Sequence, residues 1–336
     1  MNAPRSMLHS HNASASGPAP DVERGDVAVT ITGARLPGVL PPILNDRYKL
    51  EGLLGAGGMG LVYRARDLLS ERFGEPDPYC AIKLLRDDVA ECPGASALLY
   101  SEFALASHLP HPNVVRVHGF EVDGGCQRAF FSMQLLRGKP LDRVLCERPQ
   151  GLAWDELRGI VLPLLEALAF AHDRGVLHGD IKPSNLMLTE HGPQLFDFGL
   201  GQALGGALSG LARLSRDRIH AWTPAYAAPE LRDGAALSPA TDVFAAACLI
   251  YELVSGQRPF GADARLLREA PANQRLQRPA HLPARAWGAL LQALALEPAQ
   301  RRISAGELHE VVATAGAPAW RRWLGQGQAN LQTGIS

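Results

Sequence analysis

The sequence predicts an α+β protein of two lobes: a small antiparallel β-sheet with one helix, then a larger, mainly helical part. Between residues 48 and 135 the chain runs in short β-type stretches separated by glycine-rich or proline-rich turns. Beyond Gly138, apolar residues recur at helical spacing. With 336 residues, 46% hydrophobic and 20% charged, the chain is long enough to bury a large core.

The first 46 residues are rich in Ser, Ala, Gly and Pro and show no sustained period, which predicts a mobile tail. Residues 48–54, 61–65 and 80–85 read as strands, and 95–108 as a helix. Two further apolar runs, 114–121 and 128–135, are parted by Asp123, Gly124 and Gly125. Residues 155–174 and 241–255 read as helices, with strand-like pieces at 186–189 and 194–196 between them. The long loop-like segment that follows, up to Pro229, is of a kind that usually carries function. The last twenty residues, with Trp320, Arg321, Arg322 and Trp323, read as an appended tail.

Charge and composition exclude several classes. A formal net charge of −1 gives no global basic field to draw the chain to nucleic acid or an anionic membrane, so binding rests on a local site. Cys80, Cys92, Cys126, Cys146 and Cys248 form an odd, scattered set without CxxC spacing, as expected of free thiols in a reducing compartment. The most apolar stretch, 160–171, is too short to cross a bilayer and contains Pro163 and Glu166. His9, Ser10, His11 and Asn12 stand where a signal peptide needs an apolar run. The expected location is cytoplasmic.

Gly55, Gly57 and Gly60 form G-x-G-x-x-G in a turn, followed by Val62, where absent side chains let backbone N–H groups approach phosphate oxygens. A dinucleotide-binding version of this spacing opens a helix, whereas residues 61–63 continue as a strand. By itself the motif is equally a glycine-rich hairpin. Lys83 sits on an otherwise apolar strand, an unusual place for an ammonium unless it meets an anion such as phosphate. Glu102 on the next helix is within reach of it, or is an ordinary surface glutamate. In the stretch from His178 to Asn185, Asp180, Lys182 and Asn185 offer what phosphoryl transfer to a hydroxyl needs: a proton acceptor, neutralising charge and an orienting contact. Asp197, with Phe198 and Gly199, adds a second hard oxygen donor suited to Mg²⁺.

The order of these pieces, ending in Ala228, Pro229 and Glu230, resembles the eukaryotic-type protein kinases over roughly residues 47 to 314. The Gly-Gly-Met-Gly run at 57–60 and His111-Pro112-Asn113 look most like the bacterial serine/threonine members. The resemblance implies a bilobal protein-kinase-like fold in a domain of residues 47–316, with lobes 47–136 and 137–316, between tails 1–46 and 317–336. It implies ATP and Mg²⁺ or Mn²⁺ as cofactors, Asp180, Lys182 and Lys83 as catalytic residues, and Asn185 and Asp197 as metal ligands. The nucleotide would be bounded by Leu54, Gly55, Gly57, Gly60, Val62 and Ala81 above and Leu186 below, with Lys83 and Glu102 at its phosphates. Met133 would be the gatekeeper and Gln134 to Leu136 the hinge that reads the adenine edge. By the same likeness Glu230 pairs with Arg301, Asp242 braces the catalytic loop, and Thr223 to Tyr226 favours serine or threonine over tyrosine.

One departure matters. Gly179 stands where many relatives carry an arginine that meets a phosphate on the activation segment, so activity independent of phosphorylation between Asp197 and Glu230 is expected. Arg213, Arg216 and Arg218 are candidate substitutes for that charge. His-Gly-Asp also resembles small-molecule phosphotransferases of the aminoglycoside type, but those lack the Ala-Pro-Glu platform. A pseudokinase scaffold is the other alternative, opposed by the presence of Lys83, Asp180 and Asp197. Expected partners are protein substrates, and a regulatory protein acting through the tails.

Overall fold

The computed structural model describes residues 40–57, 60–90, 92–208, 210–212, 225–260 and 276–315. The first lobe is a six-stranded sheet in the order β1-β2-β3-β4-β6-β5, antiparallel throughout. Its strands are Ile43–Leu44 (β1), Tyr48–Ala56 (β2), Gly60–Asp67 (β3), Tyr79–Leu85 (β4), Val117–Val122 (β5) and Ala129–Gln134 (β6). Strand β4 is apolar almost throughout because both its faces are covered. Cys80, Ile82 and Leu84 join Leu44, Tyr48, Tyr63 and Phe130 in one small core, while Leu85 packs with Phe131 and with Ala95 and Leu99 of the helix Ala95–Ser107 (α3).

The two edges of this sheet meet. Asn45, in the turn after β1, donates its N–H to Asp123 Oδ2 at 2.8 Å and its Nδ2 to Glu121 Oε2 at 3.0 Å, and its Oδ1 accepts from Gly124 N–H at 3.0 Å. These partners lie at the β5–β6 hairpin, so the sheet curls back on itself around its small core. Asn45 and Asp46 adopt positive φ, 48° and 54°, which short polar side chains tolerate best. Residues 43–46 were expected to belong to a mobile tail. They instead form β1 and the turn that leads into β2, and Leu44 is fully buried. Two short helices also join the one foreseen, Leu68–Arg72 (α1), capped by Asp67, and Asp87–Ala90 (α2).

The second lobe is helical: Leu141–Glu147 (α4), Trp154–Asp173 (α5), Pro229–Arg232 (α6), Pro239–Ser255 (α7), Ala284–Ala293 (α8) and Ala305–Thr314 (α9). Helix α7 is apolar and buried on nearly every side, as befits the central pillar of a lobe. Short strands support the loops facing the first lobe: Gly138–Pro140 (β7) with Leu186–Thr189 (β9) and Gly192–Leu195 (β10), and Val176–Leu177 (β8) with Gln202–Ala203 (β11). Among the described residues, no helix is long and apolar enough to cross a membrane. The expected tails, Arg213, Arg216, Arg218 and Thr223 lie outside the described residues, apart from residues 40–46.

Candidate active site

Lys83 lies in the middle of β4, on the face opposite Ile82 and Leu84, and is 9% exposed. Its Nζ donates to Glu102 Oε1 at 2.5 Å and to Asp197 Oδ1 at 2.8 Å, so α3 and the second lobe converge on one ammonium. Burial works against the charge on Lys83, but the two carboxylates outweigh it and raise its pKa. Burial likewise opposes charge on Asp197, yet Lys83 holds that carboxyl low, at about 2. Glu102 is pushed up to about 7, first by burial and then by the competing Asp197 carboxylate. Asp197 has a positive φ of 70°, a strained conformation for a residue with a side chain. Phe198 beside it is buried against the His178 ring, with centroids 4.6 Å apart.

The loop after β8 carries the second group. Lys182 Nζ donates to Asp180 Oδ2 at 2.5 Å, and Asn185 Nδ2 donates to the Asp180 carbonyl at 2.8 Å and to Oδ2 at 3.2 Å. Burial raises the Asp180 pKa, against the opposing pull of Lys182. His178 Nδ1 accepts from Asp180 N–H at 3.1 Å, which leaves Nε2–H to donate to the Phe196 carbonyl at 3.1 Å. Asp242 accepts the N–H groups of His178 and Gly179 at 2.9 and 2.8 Å and faces His172 Nε2 at 3.1 Å. That carboxyl, though buried, is held low by His172, His178 and the Gly179 N–H.

The sheet residues expected to bound a nucleotide lie on β2, β3, β4 and β6 and in the turn between β2 and β3. A Cβ on Gly60 would lie 3.1 Å from the Leu84 carbonyl and 3.2 Å from Lys83 Cε, so glycine lets β3 close on the lysine. A Cβ on Gly55 would meet nothing within 4 Å and one on Gly57 only the Gly60 carbonyl, at 3.8 Å. Their missing side chains are thus unexplained by packing against the described residues and suit a cradle for phosphates. Val62 pairs with Lys83, and Ala81 with Met133, in register. Met133 packs against the core beside α3, and Leu54 at the glycine turn is 52% exposed. Gln134 N–H is used by the Arg116 carbonyl, whereas the N–H groups of Leu135 and Leu136 make no hydrogen bond with the described residues and remain available to an adenine edge.

Leu186, read as the floor of the site, has no exposed surface and belongs to the core of the second lobe. Neighbouring residues of a strand face opposite sides, so the partly exposed Met187 is the residue turned away from that core. The alternation of β9 was the signal for this, but its phase could be fixed only once the core side was known.

Asn185 and Asp197 supply one amide and one carboxylate. Among the described residues no group of three or more His, Cys, Asp or Glu could hold a metal alone. The pair fits Mg²⁺, which is bound through one or two protein oxygens and shared with phosphates. Elsewhere in the second lobe, Arg301 Nη1 donates to Glu230 Oε1 at 2.6 Å, and the Tyr226 hydroxyl donates to Glu252.

Residues 48–311 match the family model for the protein kinase domain. The chain belongs to the protein kinase family. It is 32% identical to the serine/threonine-protein kinase PkaA of Streptomyces coelicolor over 77% of this chain and 48% of that protein. It is 31% identical to the serine/threonine-protein kinase PknA of Mycobacterium tuberculosis over 82% of this chain and 62% of that protein. It is 32% identical to a probable serine/threonine-protein kinase, PknB, of Corynebacterium glutamicum over 66% of this chain and 33% of that protein. The chain therefore spans between about a third and three fifths of the length of these curated relatives. The crystal structure of the Mycobacterium tuberculosis PknI kinase domain superposes with a TM-score of 0.58 at 28% identity, covering 83% of this chain and 99% of that one. The bilobal kinase fold expected from the sequence is the fold observed.

Proposed function

We propose that this chain transfers the γ-phosphate of ATP to serine or threonine hydroxyls of protein substrates. The observation that carries the reading is the convergence of Glu102 and Asp197, from separate lobes, on Lys83 Nζ, at 2.5 and 2.8 Å. Lys83 is a preorganised charge for phosphate oxygens, kept in place by Glu102. Asp180, fixed by Lys182 and Asn185, orients the acceptor hydroxyl and takes its proton, and Lys182 offsets charge developing on the transferred group. Asn185 and Asp197 would hold Mg²⁺ or Mn²⁺, which supplies charge neutralisation on the phosphates. The adenine would lie between Val62 and Ala81 on one side and Met187 on the other, with its edge at Leu135 and Leu136.

The buried Glu230–Arg301 pair and the neighbouring Tyr226–Glu252 contact support a protein-docking platform over a small-molecule pocket. The domain is read as residues 47–316, extended at its start by β1 at Ile43–Leu44, its location as cytoplasmic, and a regulatory partner is assigned to the flanking segments. The test is transfer of radiolabel from ATP to a generic basic protein, set against an aminoglycoside. Label on protein, lost by about 10²–10⁴-fold in Asp180→Ala while the thermal shift by Mg²⁺–ATP persists, is the expected result. Label on the aminoglycoside alone, or a thermal shift with no turnover, overturns it.

A further inference from the structure

Two residues at the start of α7 reach the same piece of catalytic loop from different directions. Asp242, in the first turn, takes the N–H groups of His178 and Gly179. Leu237, just ahead of the helix and 5% exposed, packs where a side chain at position 179 would go. Gly179 has φ of +78°, and a Cβ there would lie 2.8 Å from Leu237 Cδ1 and 2.7 Å from the Leu200 carbonyl oxygen. The spacing of Leu237 and Asp242 is fixed by the helix N-terminus itself. Thr241 N–H donates to Ser238 Oγ at 3.3 Å, Ser238 N–H donates to Thr241 Oγ1 at 3.2 Å, and that hydroxyl donates to the Ser238 carbonyl at 2.7 Å.

We propose that Leu237 is a positioning residue for Asp180, the apolar prong of a clamp whose ionic prong is Asp242. The inference rests on the role given to Asp180 above. Both side-chain partners of Asp180, Lys182 and Asn185, belong to its own loop and move with it, so neither fixes the loop against the rest of the lobe. The flanks are anchored by the pairing of Leu177 with Gln202 and by the buried Ile181. Between those anchors Gly179 is the notch that Leu237 fills. A small cleft bordered by Gly179, Asp180, Leu237 and Asp242 lies alongside, and shortening the prong would enlarge the gap beside the loop. A displacement of about 1 Å in a catalytic group can cost on the order of 10²-fold in rate.

The experiment compares the parent with Leu237→Ala, Leu237→Val and Leu237→Met by label transfer to protein, ATP titration and amide hydrogen exchange. In Leu237→Ala, kcat is expected to fall by about tenfold or more with KM for ATP within about twofold of the parent, and Leu237→Met to keep near-parental turnover. The His178 and Gly179 amides, bonded to Asp242, should exchange faster while those of α5 do not. Parental turnover and parental exchange in a folded Leu237→Ala, or in Leu237→Val if the alanine variant does not fold, overturns the clamp. Faster exchange throughout the lobe also overturns it, since that reports general loosening. If the parent itself labels no protein, the kinase reading fails, and the clamp is decided by the exchange pattern alone.

Discussion

Arg301 and Glu230 lie 71 positions apart and meet in a bidentate pair, Nη1 to Oε1 at 2.6 Å and Nη2 to Oε2 at 3.3 Å. The guanidinium is wholly shielded from solvent, sits 4.8 Å from the Phe244 ring centroid, and also donates to the carbonyls of Ala240 and Ala295. Either Glu230→Gln or Arg301→Met strands a buried charge or its partners, at an expected cost of about 3–5 kcal/mol. Denaturant unfolding of each variant measures it. Arg301→Lys should recover little, because one ammonium cannot reproduce the forked geometry.

Lys83→Met removes the cation that bridges Glu102 and Asp197. Label transfer should drop by about 10²–10³-fold, with a smaller loss in the thermal shift by Mg²⁺–ATP. The pH dependence of stability should change as well. Glu102, held up at about 7, binds a proton in the folded state that the unfolded chain releases near 4.5, so its contribution declines as pH rises between those values. Without Lys83 that decline should extend to higher pH, and thermal melts from pH 5 to 9 follow it.

The Arg47–Asp67 pair predicts the opposite sign. Against the cost of burial, Arg47 and Ser70 hold Asp67 down at about 2, below its ordinary value near 3.8. Its stabilisation is therefore present above pH 3.8 and lost as pH falls towards 2. Because Arg47 is 38% exposed, Asp67→Asn should cost only about 1–2 kcal/mol at neutral pH, and should flatten acid unfolding in that window.

Leu44→Ala should destabilise the first lobe by about 2–5 kcal/mol, and Asn45→Ala by about 1–3 kcal/mol. Both act through closure of the curled sheet, so hydrogen exchange should rise at residues 121–124, the far side of the seam. Unchanged protection there would mean that the seam carries no load.

Replacing Gly179 with arginine should not install phosphate control. The positive φ disfavours any side chain, and the space is held by Leu200 and Leu237, so loss of activity is expected with or without a phosphatase. The parent chain, fully dephosphorylated, should retain its rate. A near-complete loss on dephosphorylation would mean that cations elsewhere read a phosphate on the activation segment.

The sequence by itself marked the residues on which the proposed chemistry rests. Lys83, Asp180, Asn185 and Asp197 are polar residues whose local context, an apolar strand or a short loop after a helix, already sets them apart. Glu102 and Arg301 could be proposed from the order of motifs, although their contacts arise only when distant segments pack. Tertiary structure alone decided the rest. Which face of β9 is buried separates Leu186 from Met187, and strand alternation has no phase until a core exists to orient it. Asn45 reads as one more residue of a polar tail until the sheet curls and brings Asp123 to it. Leu237 carries no chemical group that a motif could flag, and its importance comes from shape, in the space left open where Gly179 has no side chain.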